Sequence, residues 1–283
     1  MSFCARSIKR LLHSKATEIK SPQMKVKIIP ALRDSYMYLV VDAASNAAAA
    51  VDPVDPEKML EAVSEEKANL TTILTTHHHR NHSSGNEALL DQLKHLKVYG
   101  NDDRIPGANR RAVDGFRVGA LRFVPIATPF HTTGHVSYFV RSAAFPAVFT
   151  GDALHVGGAG GIREGCAAQM YDALVCKMAV LPKSTRMFCG HERSVRSLRF
   201  AKHVQKWNKT AAEKLEWCLG RRGEGLPCVP STIGEEVGYN PFLRANDKRM
   251  KERCGAMTGV EAMEYLSVEN DKFEEKYVEN DRS

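Results

Sequence analysis

Four histidines lie close together between His77 and His82, in a run that reads TTHHHRNH from Thr75. The run follows an apolar, strand-like segment at 71–74, so its side chains would project from the end of a rigid element. Alternate side chains of an extended backbone share one side, which allows His77 and His79 to face the same point. Neutral imidazole is a usual ligand of zinc, and hydrolytic zinc sites keep one position open for water. The spacing therefore predicts a metal site.

Three later segments carry further metal-binding side chains where predicted strands end. These are His131 in the run HTTGH, Asp152 in FTGD and His191 in CGHE. Strand ends of an α/β body meet at one edge of the sheets, where binding sites usually form. We therefore expect these side chains to join the histidine run in a dinuclear site. By itself, such a site suits either a hydrolase or an oxidoreductase.

The segments that must position these side chains alternate between short strands and helices. Turn residues separate short apolar runs that are typical of strands. These runs lie at 25–29, 36–41, 47–51, 71–74, 97–99, 120–126, 135–140 and 147–150. Helical spacing occurs at 56–69 and 86–93, so we expect an α/β body of layered sheets. After about residue 192, helical spacing dominates, over 194–220 and 260–265. The chain should therefore contain a body at 24–192 and a smaller helical domain at 193–283.

Composition excludes several protein classes. No stretch of the 283 residues approaches the ~18 consecutive apolar residues of a transmembrane helix, so we expect no membrane partner. The seven cysteines are odd in number and form no CxxC pair, which argues against a disulfide scaffold or a cysteine-built zinc finger. A reducing compartment fits this cysteine usage better.

The formal charge of +7 is concentrated near the N-terminus, because residues 1–23 carry five basic side chains and one acid, Glu18. This composition is typical of a mitochondrial transit peptide, and the alternative is a disordered basic tail on a cytosolic protein. We expect the mitochondrial matrix, or the cytoplasm for a form translated from Met24. The remaining body is only mildly basic and shows no nucleic-acid module, so we expect no nucleic-acid partner.

Taken in order, the motifs resemble the metallo-β-lactamase fold superfamily and, more closely, the glyoxalase II (hydroxyacylglutathione hydrolase) family. The resemblance rests on TTHHH..H..GNE, KVYG.DDRI, TP.HTTGH, AVFTGD, CGHE and YNPF.R, across about residues 24–270. It implies an αββα sandwich followed by a helical substrate-binding domain. It also implies hydrolysis of the thioester S-D-lactoylglutathione to D-lactate and glutathione, in the detoxification of methylglyoxal. We expect such a chain to be a monomer.

The resemblance further implies two metal ions, expected to be zinc, with iron or manganese as alternatives. The family's ligand positions correspond to His77, His79 and His131 at one ion, His82 and His191 at the other, Asp152 bridging both, and Asn81. The family has an aspartate where this chain has Asn81, and a neutral amide oxygen is a weaker donor than a carboxylate. We therefore expect weaker binding of the second ion. The nucleophile would be a metal-bound hydroxide held by Asp152 and Asn81.

Substrate positions also depart from the family pattern. Gly161 and Arg163 stand where the family has a lysine and a tyrosine that hold glutathione, and Arg193 replaces another tyrosine. Arg244 and Lys248 match basic positions that the family uses for the glutathione carboxylates. Arg163 and Arg193 are either ordinary surface charges or replacements that bind carboxylates through the guanidinium fork. The alternative function is thus a catalytically weak or inactive relative with altered ligand binding.

Two further features flank the expected site. Asp52, between Val51 and Pro53, is either a turn residue or a carboxylate that orients the histidine run. The glycine-rich run at 157–161 lacks the Lys-Ser/Thr of a phosphate-binding P-loop, so we expect a flexible loop beside the metals.

Overall fold

Two β-sheets form the body of the protein, for which a computed structural model describes residues 13–280. Apolar side chains from the facing sides of both sheets, among them Val40 and Phe149, pack into one core cluster. The opposite side of the first sheet packs against Met59 and Leu89, which belong to two helices, in a second cluster. The helices that carry Met59 and Leu89 therefore cover the first sheet, and the first sheet packs on the second. This arrangement agrees with the layered sheets that the sequence predicts.

The first sheet follows chain order, and its first four strands are antiparallel. Its seven strands are β1 (Thr17–Lys20), β2 (Met24–Ala31), β3 (Ser35–Asp42), β4 (Ala47–Val51), β5 (Asn69–Leu74), β6 (Lys97–Gly100) and β7 (Arg110–Arg111). From β4 onward the strands pair in parallel. Parallel neighbours need crossover connections, and helices supply them between β4 and β5 and between β5 and β6.

The second sheet has the spatial order β13-β12-β11-β10-β9-β8. Its strands are β8 (Phe116–Val118), β9 (Leu121–Ala127), β10 (Val136–Arg141), β11 (Ala147–Gly151), β12 (Arg186–Cys189) and β13 (Ser231–Thr232). The β11–β12 pair is parallel and the other pairs are antiparallel. Both β11 and most of β12 are buried, which matches their apolar sequences.

Helix α1 (Pro56–Glu65) shows how local signals position the crossovers. The Asp55 side chain caps the helix by accepting from the Lys58 amide at 3.1 Å, and proline occupies the first helical position. The helix is shorter than the predicted 56–69, because Lys67 has a positive φ of 49° and the chain then enters β5. Two short helices follow β5, α2 (Arg80–Ser83) and α3 (Asn86–Gln92).

The rest of the described chain is largely helical. Its elements are α4 (Ala167–Tyr171), a π-helical segment (Asp172–Met178), α5 (Ser194–Val204), α6 (Lys209–Gly223), α7 (Ile233–Tyr239), α8 (Lys248–Cys254) and α9 (Gly259–Asn280). The predicted helical stretch 194–220 is divided, because Asn208 caps a new helix by accepting from the Ala211 amide at 3.3 Å. Within residues 13–280, no helix combines the length and the apolar character that a membrane crossing requires.

The sheet begins earlier than the expected boundary at residue 23. Strand β1 pairs antiparallel with β2, Thr17 opposite Ile28, and the Ser14 hydroxyl lies 3.1 Å from the Tyr36 hydroxyl. Ile19 packs against the core while its neighbours in β1 remain more exposed, which is the alternation of an edge strand. Most of the predicted targeting segment, residues 1–12, lies outside the described residues.

Candidate metal centre

The loops that follow β5, β9, β11 and β12 meet at one edge of the sandwich. The first predicted ligand in each loop lies within four residues of the strand end, so the rigid sheets hold these side chains in place. The structure brings all seven predicted metal positions together at this edge: His77, His79, Asn81, His82, His131, Asp152 and His191.

Three imidazoles form a first cluster. His79 Nδ1 lies 3.0 Å from His77 Nε2 and 3.2 Å from His131 Nε2. All three nitrogens lie within 4.8 Å of one another, so each can reach a single ion placed between them. Three imidazole ligands with an open fourth position are a known arrangement of catalytic zinc.

A second cluster forms around one oxygen of Asp152. His82 Nε2 and His191 Nε2 are 3.1 Å apart, and they lie 3.4 and 3.3 Å from Asp152 Oδ1. The other oxygen, Asp152 Oδ2, lies 3.5 Å from His131 Nε2 in the first cluster. The carboxylate therefore stands between the clusters, with one oxygen directed to each.

Outer hydrogen bonds orient the imidazoles. Nδ1 of His82 lies 2.9 Å from Asp52 Oδ2, Nδ1 of His191 lies 3.1 Å from Asp34 Oδ1, and Nδ1 of His131 lies 2.9 Å from a backbone carbonyl oxygen. Because these acceptors favour a proton on Nδ1, the lone pairs of the Nε2 atoms face the cluster. A metal ion between the Nε2 atoms would replace the protons that the Asp152 carboxylate otherwise favours there, so this donor set fits a metal ion.

Asp52 connects the two strand-end loops of the first sheet. Its carboxylate accepts from the Thr76 amide and the Thr76 hydroxyl, both at 2.8 Å, as well as from His82. The backbone of Asp52 has a positive φ of 47°, so the residue also forms a turn. Both interpretations left open by the sequence therefore apply.

The charges around the two clusters differ. Burial opposes protonation of His82, but the Asp152 and Asp52 carboxylates outweigh it and raise the pKa of His82 to about 10. At His79, burial and the neighbouring His131 lower the pKa to about 4. The second cluster therefore has a field that favours positive charge, whereas the first supplies neutral imidazole nitrogens.

Asn81 lies on α2 against the second cluster, with its Nδ2 3.0 Å from His191 Nε2. The side chain thus lies at the second cluster without bringing a negative charge. A neutral amide beside a histidine nitrogen stabilises a bound cation less than a carboxylate does.

Two glycines allow the backbone to approach the clusters closely. A Cβ atom on Gly190 would lie 2.6 Å from His82 Cε1 and 2.9 Å from Asp152 Oδ1. A Cβ atom on Gly160 would lie 2.2 Å from the Asp152 carbonyl oxygen. The glycine-rich run at 157–161 does lie beside the site, but it is packed and hydrogen-bonded rather than loose, with the Gly160 amide donating to that carbonyl at 2.9 Å.

The predicted substrate residues near the centre lie on two sides of it. Gly161 is beside His131, and a Cβ atom there would lie 3.4 Å from the Arg163 guanidinium and 3.3 Å from Asp271 Oδ1. Arg193 Nε lies 3.4 Å from the second oxygen of the carboxylate that holds His191. Arg193 therefore acts on the centre through that carboxylate.

Arg244 and Lys248 make contacts within the helical part of the chain. Arg244 donates to the Gly238 carbonyl oxygen at 2.8 Å and pairs with Asp247 at 2.7 Å. The Lys248 side chain is 92% exposed, with its ammonium 4.0 Å from Glu252. These contacts do not reach the two histidine clusters.

Sequence reasoning missed two residues that contact the clusters. Asp34 precedes β3 in a turn, where an aspartate carries no functional signal, and only its contact with His191 reveals a role. His155 Nε2 lies 3.4 Å from Asp152 Oδ1. Its position three residues after a predicted ligand, in the same loop, was an available signal.

Known proteins resemble this chain in sequence over nearly its whole length. Residues 192–273 match the family model described as the hydroxyacylglutathione hydrolase C-terminus. A hydroxyacylglutathione hydrolase-like protein of Gallus gallus is 44% identical over 255 residues, covering 88% of this chain and 90% of the relative. A cytoplasmic hydroxyacylglutathione hydrolase of Arabidopsis thaliana is 38% identical over 256 residues, covering 88% of this chain and 99% of the relative.

Solved structures resemble the fold. The crystal structure of ETHE1 from Myxococcus xanthus matches with a TM-score of 0.60 and 28% identity, covering 89% of this chain and 91% of that one. A metallo-β-lactamase from Staphylococcus aureus subsp. aureus COL has the same TM-score of 0.60 at 19% identity, covering 88% of this chain and 72% of that one. The predicted metallo-β-lactamase sandwich is thereby confirmed.

Proposed function

Because this chain belongs to the hydroxyacylglutathione hydrolase (glyoxalase II) family of hydrolases, we propose that it cleaves a glutathione thioester on a pair of metal ions. The expected substrate is S-D-lactoylglutathione, which yields D-lactate and glutathione. This reaction would place the protein in the detoxification of methylglyoxal.

One observation carries the proposal, the convergence of five imidazoles on the two oxygens of Asp152 and on one another. Taking buried polar groups out of water is unfavourable unless they find partners. A cluster of nitrogen lone pairs and a carboxylate finds such partners in cations, and the outer acceptors preset the ring orientations.

The proposed centre assigns a role to each side chain. His77, His79 and His131 would hold one ion, and His82 and His191 would hold the other, with Asp152 between them. Bound zinc, iron or manganese would lower the pKa of water from ~15.7 toward ~7 and polarise the thioester carbonyl. Water oxygen adds to the carbonyl carbon, the C–S bond breaks, and the thiolate leaves and takes up a proton.

The proposed substrate contacts use the basic side chains. We assign the contacts to the glutathione carboxylates to Lys248, whose ammonium is exposed, and to Arg244 on the same part of the chain. Arg163 stands beside Gly161 near the first cluster, where its guanidinium can replace contacts of the family residues. Arg193 is engaged by Asp34, which supports a positioning role.

The proposal is tested by measuring metal content and turnover of S-D-lactoylglutathione. Wild type should bind metal and hydrolyse the substrate. His79→Ala should lower kcat/KM at least ~100-fold, the usual cost of losing a group that stabilises the transition state. Asn81→Asp should raise turnover, because it restores a carboxylate at the second cluster.

His95→Ala is the matched control, since its imidazole contacts the Leu70 carbonyl oxygen away from the clusters. It should retain wild-type turnover. The alternative function, ligand binding without catalysis, is favoured by Asn81 lying where an aspartate is expected. Metal-loaded protein that turns over no glutathione thioester would reject the hydrolase and support that alternative.

A further inference from the structure

A sixth imidazole faces the proposed centre from the loop after β11. His155 is buried, with 2% of its surface exposed, and its Nε2 lies 3.4 Å from Asp152 Oδ1. The ring also lies 6.2 Å from the His191 ring, measured between centroids. His155 is therefore placed on the side of Asp152 that belongs to the second cluster.

Three imidazole nitrogens surround the same carboxylate oxygen. His82, His155 and His191 place their Nε2 atoms 3.4, 3.4 and 3.3 Å from Asp152 Oδ1. The Nδ1 atoms of His82 and His191 face Asp52 and Asp34, so their Nε2 lone pairs face the oxygen. In the neutral rings these lone pairs converge with the carboxylate oxygen, and a cation between the donors stabilises that arrangement.

The backbone holds His155 in this position. Its amide donates to the Gly158 carbonyl oxygen at 2.9 Å, and the Gly158 amide donates back at 3.2 Å. Asn240 Nδ2 donates to the His155 carbonyl oxygen at 3.2 Å. A residue whose backbone is held by a tight turn and by a helix-end side chain offers its side chain from a fixed position, as metal ligands need.

We infer that His155 is a ligand of the second metal ion and supplies the donor that is weakened at Asn81. The donor set would then be His82, His155, His191 and Asp152, three nitrogens and one oxygen. An imidazole is a better zinc donor than an amide oxygen, and four ligands satisfy tetrahedral zinc. This inference rests on the proposed two-metal function and deepens it.

A competing role is a hydrogen bond in which His155 donates Nε2–H to Asp152 and only positions the carboxylate. A glutamine side chain can take over the role of hydrogen-bond donor but not the role of metal ligand. Glutamine at this position can still donate a hydrogen bond to Asp152 but is a poor zinc ligand. His155→Gln therefore separates the two roles.

The experiment compares wild type, His155→Gln and His95→Gln after loading with Zn²⁺ and with Co²⁺. Zinc stoichiometry is measured against graded chelator, and the visible spectrum of bound Co²⁺ reports ligand number. His155→Gln should weaken the second zinc ion by about 10–100-fold, as loss of a ligand or its close support does, and should change the cobalt spectrum. His95→Gln should match wild type.

A double variant protects the test against misfolding. In Asn81→Asp/His155→Gln, the restored carboxylate should recover the second ion, which a merely unfolded protein would not do. Two ions bound by His155→Gln with wild-type affinity and spectrum would overturn the inference.

The outcomes also separate the inference from the proposed function. Wild type that binds one ion and hydrolyses the thioester would overturn the role of His155 alone. Wild type that binds no metal would overturn both. Two ions in wild type, with loss of the second in His155→Gln, supports the inference whether or not the thioester is turned over.

Discussion

At the residue scale, hydrogen bonds outside the centre decide which nitrogen each imidazole presents to it. Thr76 shows the principle, since its hydroxyl donates to Asp52 at 2.8 Å and can accept from His77 Nδ1 at 3.0 Å. Asp52 also accepts from His82, so one carboxylate sets the orientation of two rings in different clusters. The protein thereby couples the two clusters through their outer hydrogen bonds as well as through Asp152, which lies between them.

Replacing Asp52 tests this coupling. Asp52→Asn keeps the size of the side chain but replaces one acceptor oxygen with an N–H₂ group. At least one of the three donors, the Thr76 amide, the Thr76 hydroxyl or His82 Nδ1, then loses its acceptor. We expect metal affinity to fall about 10–100-fold, because the rings lose their preset orientation. The measurement is competition for zinc with a chelator.

Asp91→Asn provides the control, since Asp91 is an exposed residue of α3 paired only with Lys94 in the contacts described. It should bind zinc as wild type does. Equal zinc affinity in the Asp52 and Asp91 variants would show that Asp52 has only a turn-forming role.

At the element scale, helix α7 from the C-terminal part supports the loop after β11. Glu236 accepts from the Gly157 amide at 2.9 Å, and Asn240 donates to the Gly158 carbonyl oxygen at 3.0 Å. Ser231 and Tyr239 also donate to the Glu236 carboxylate, at 2.6 and 2.7 Å. Asn240 Nδ2 donates to the same carboxylate at 3.0 Å. Burial raises the pKa of Glu236, and these four donors compensate for removing the carboxylate from water.

Truncation of the Glu236 side chain should therefore lower the stability of the fold. Glu236→Ala leaves buried donors without an acceptor and is expected to lower the free energy of unfolding by about 2–5 kcal/mol. Glu236→Gln should cost much less, because the Ser231 and Tyr239 hydroxyls can turn and accept from the amide. Urea unfolding measures both.

The control variant is Glu216→Ala, at an exposed position of α6. Its unfolding free energy should stay within about 0.5 kcal/mol of wild type, as surface substitutions usually do. If Glu236→Ala proved equally mild, the hydrogen bonds to α7 would not stabilise the fold.

At the scale of the whole molecule, residues 13–23 pair with β2 and also join distant parts of the chain through a series of hydrogen bonds. The Ser14 hydroxyl contacts the Tyr36 hydroxyl at 3.1 Å, and Tyr36 donates to Glu192 at 2.6 Å. Glu192 also accepts from the Cys228 amide at 2.8 Å, in the C-terminal part of the chain. Residues 13–23 are thus part of the folded structure.

A protein translated from Met24 should be less stable than the full chain. It lacks β1 and the Ser14 contact, which we expect to lower the unfolding free energy by about 1–3 kcal/mol. For a protein of this size, that corresponds to a fall in Tm of about 2–5 °C. Differential scanning calorimetry measures the difference.

A protein that begins at His13 is the matched comparison, because it retains β1 and Ser14. Its Tm should lie about 2–5 °C above that of the protein that begins at Met24. Equal Tm values for the two shortened proteins would show that β1 does not stabilise the fold.

Short-range patterns in the sequence were sufficient to predict a body of layered sheets and the histidine and Asp152 positions that the fold brings together, whereas Asn81 was predicted from the family resemblance. Strand β4 was predicted with its observed bounds, Ala47–Val51, because an apolar run followed by a proline turn is a local signal. The metal motifs were visible for the same reason, since each lies within a few residues of a strand end. Their role as ligands stays a prediction.

Only the tertiary structure decided which side chains complete the centre. Asp34 reaches His191 across 157 positions of sequence, and His155 is directed to Asp152 by a turn that α7 holds in place. The early end of α1 at Glu65 likewise depends on where the chain must enter β5. Periodicity and motif spacing act over a few residues, whereas the partner of a buried polar group is chosen by the packing of distant elements, which no local pattern contains.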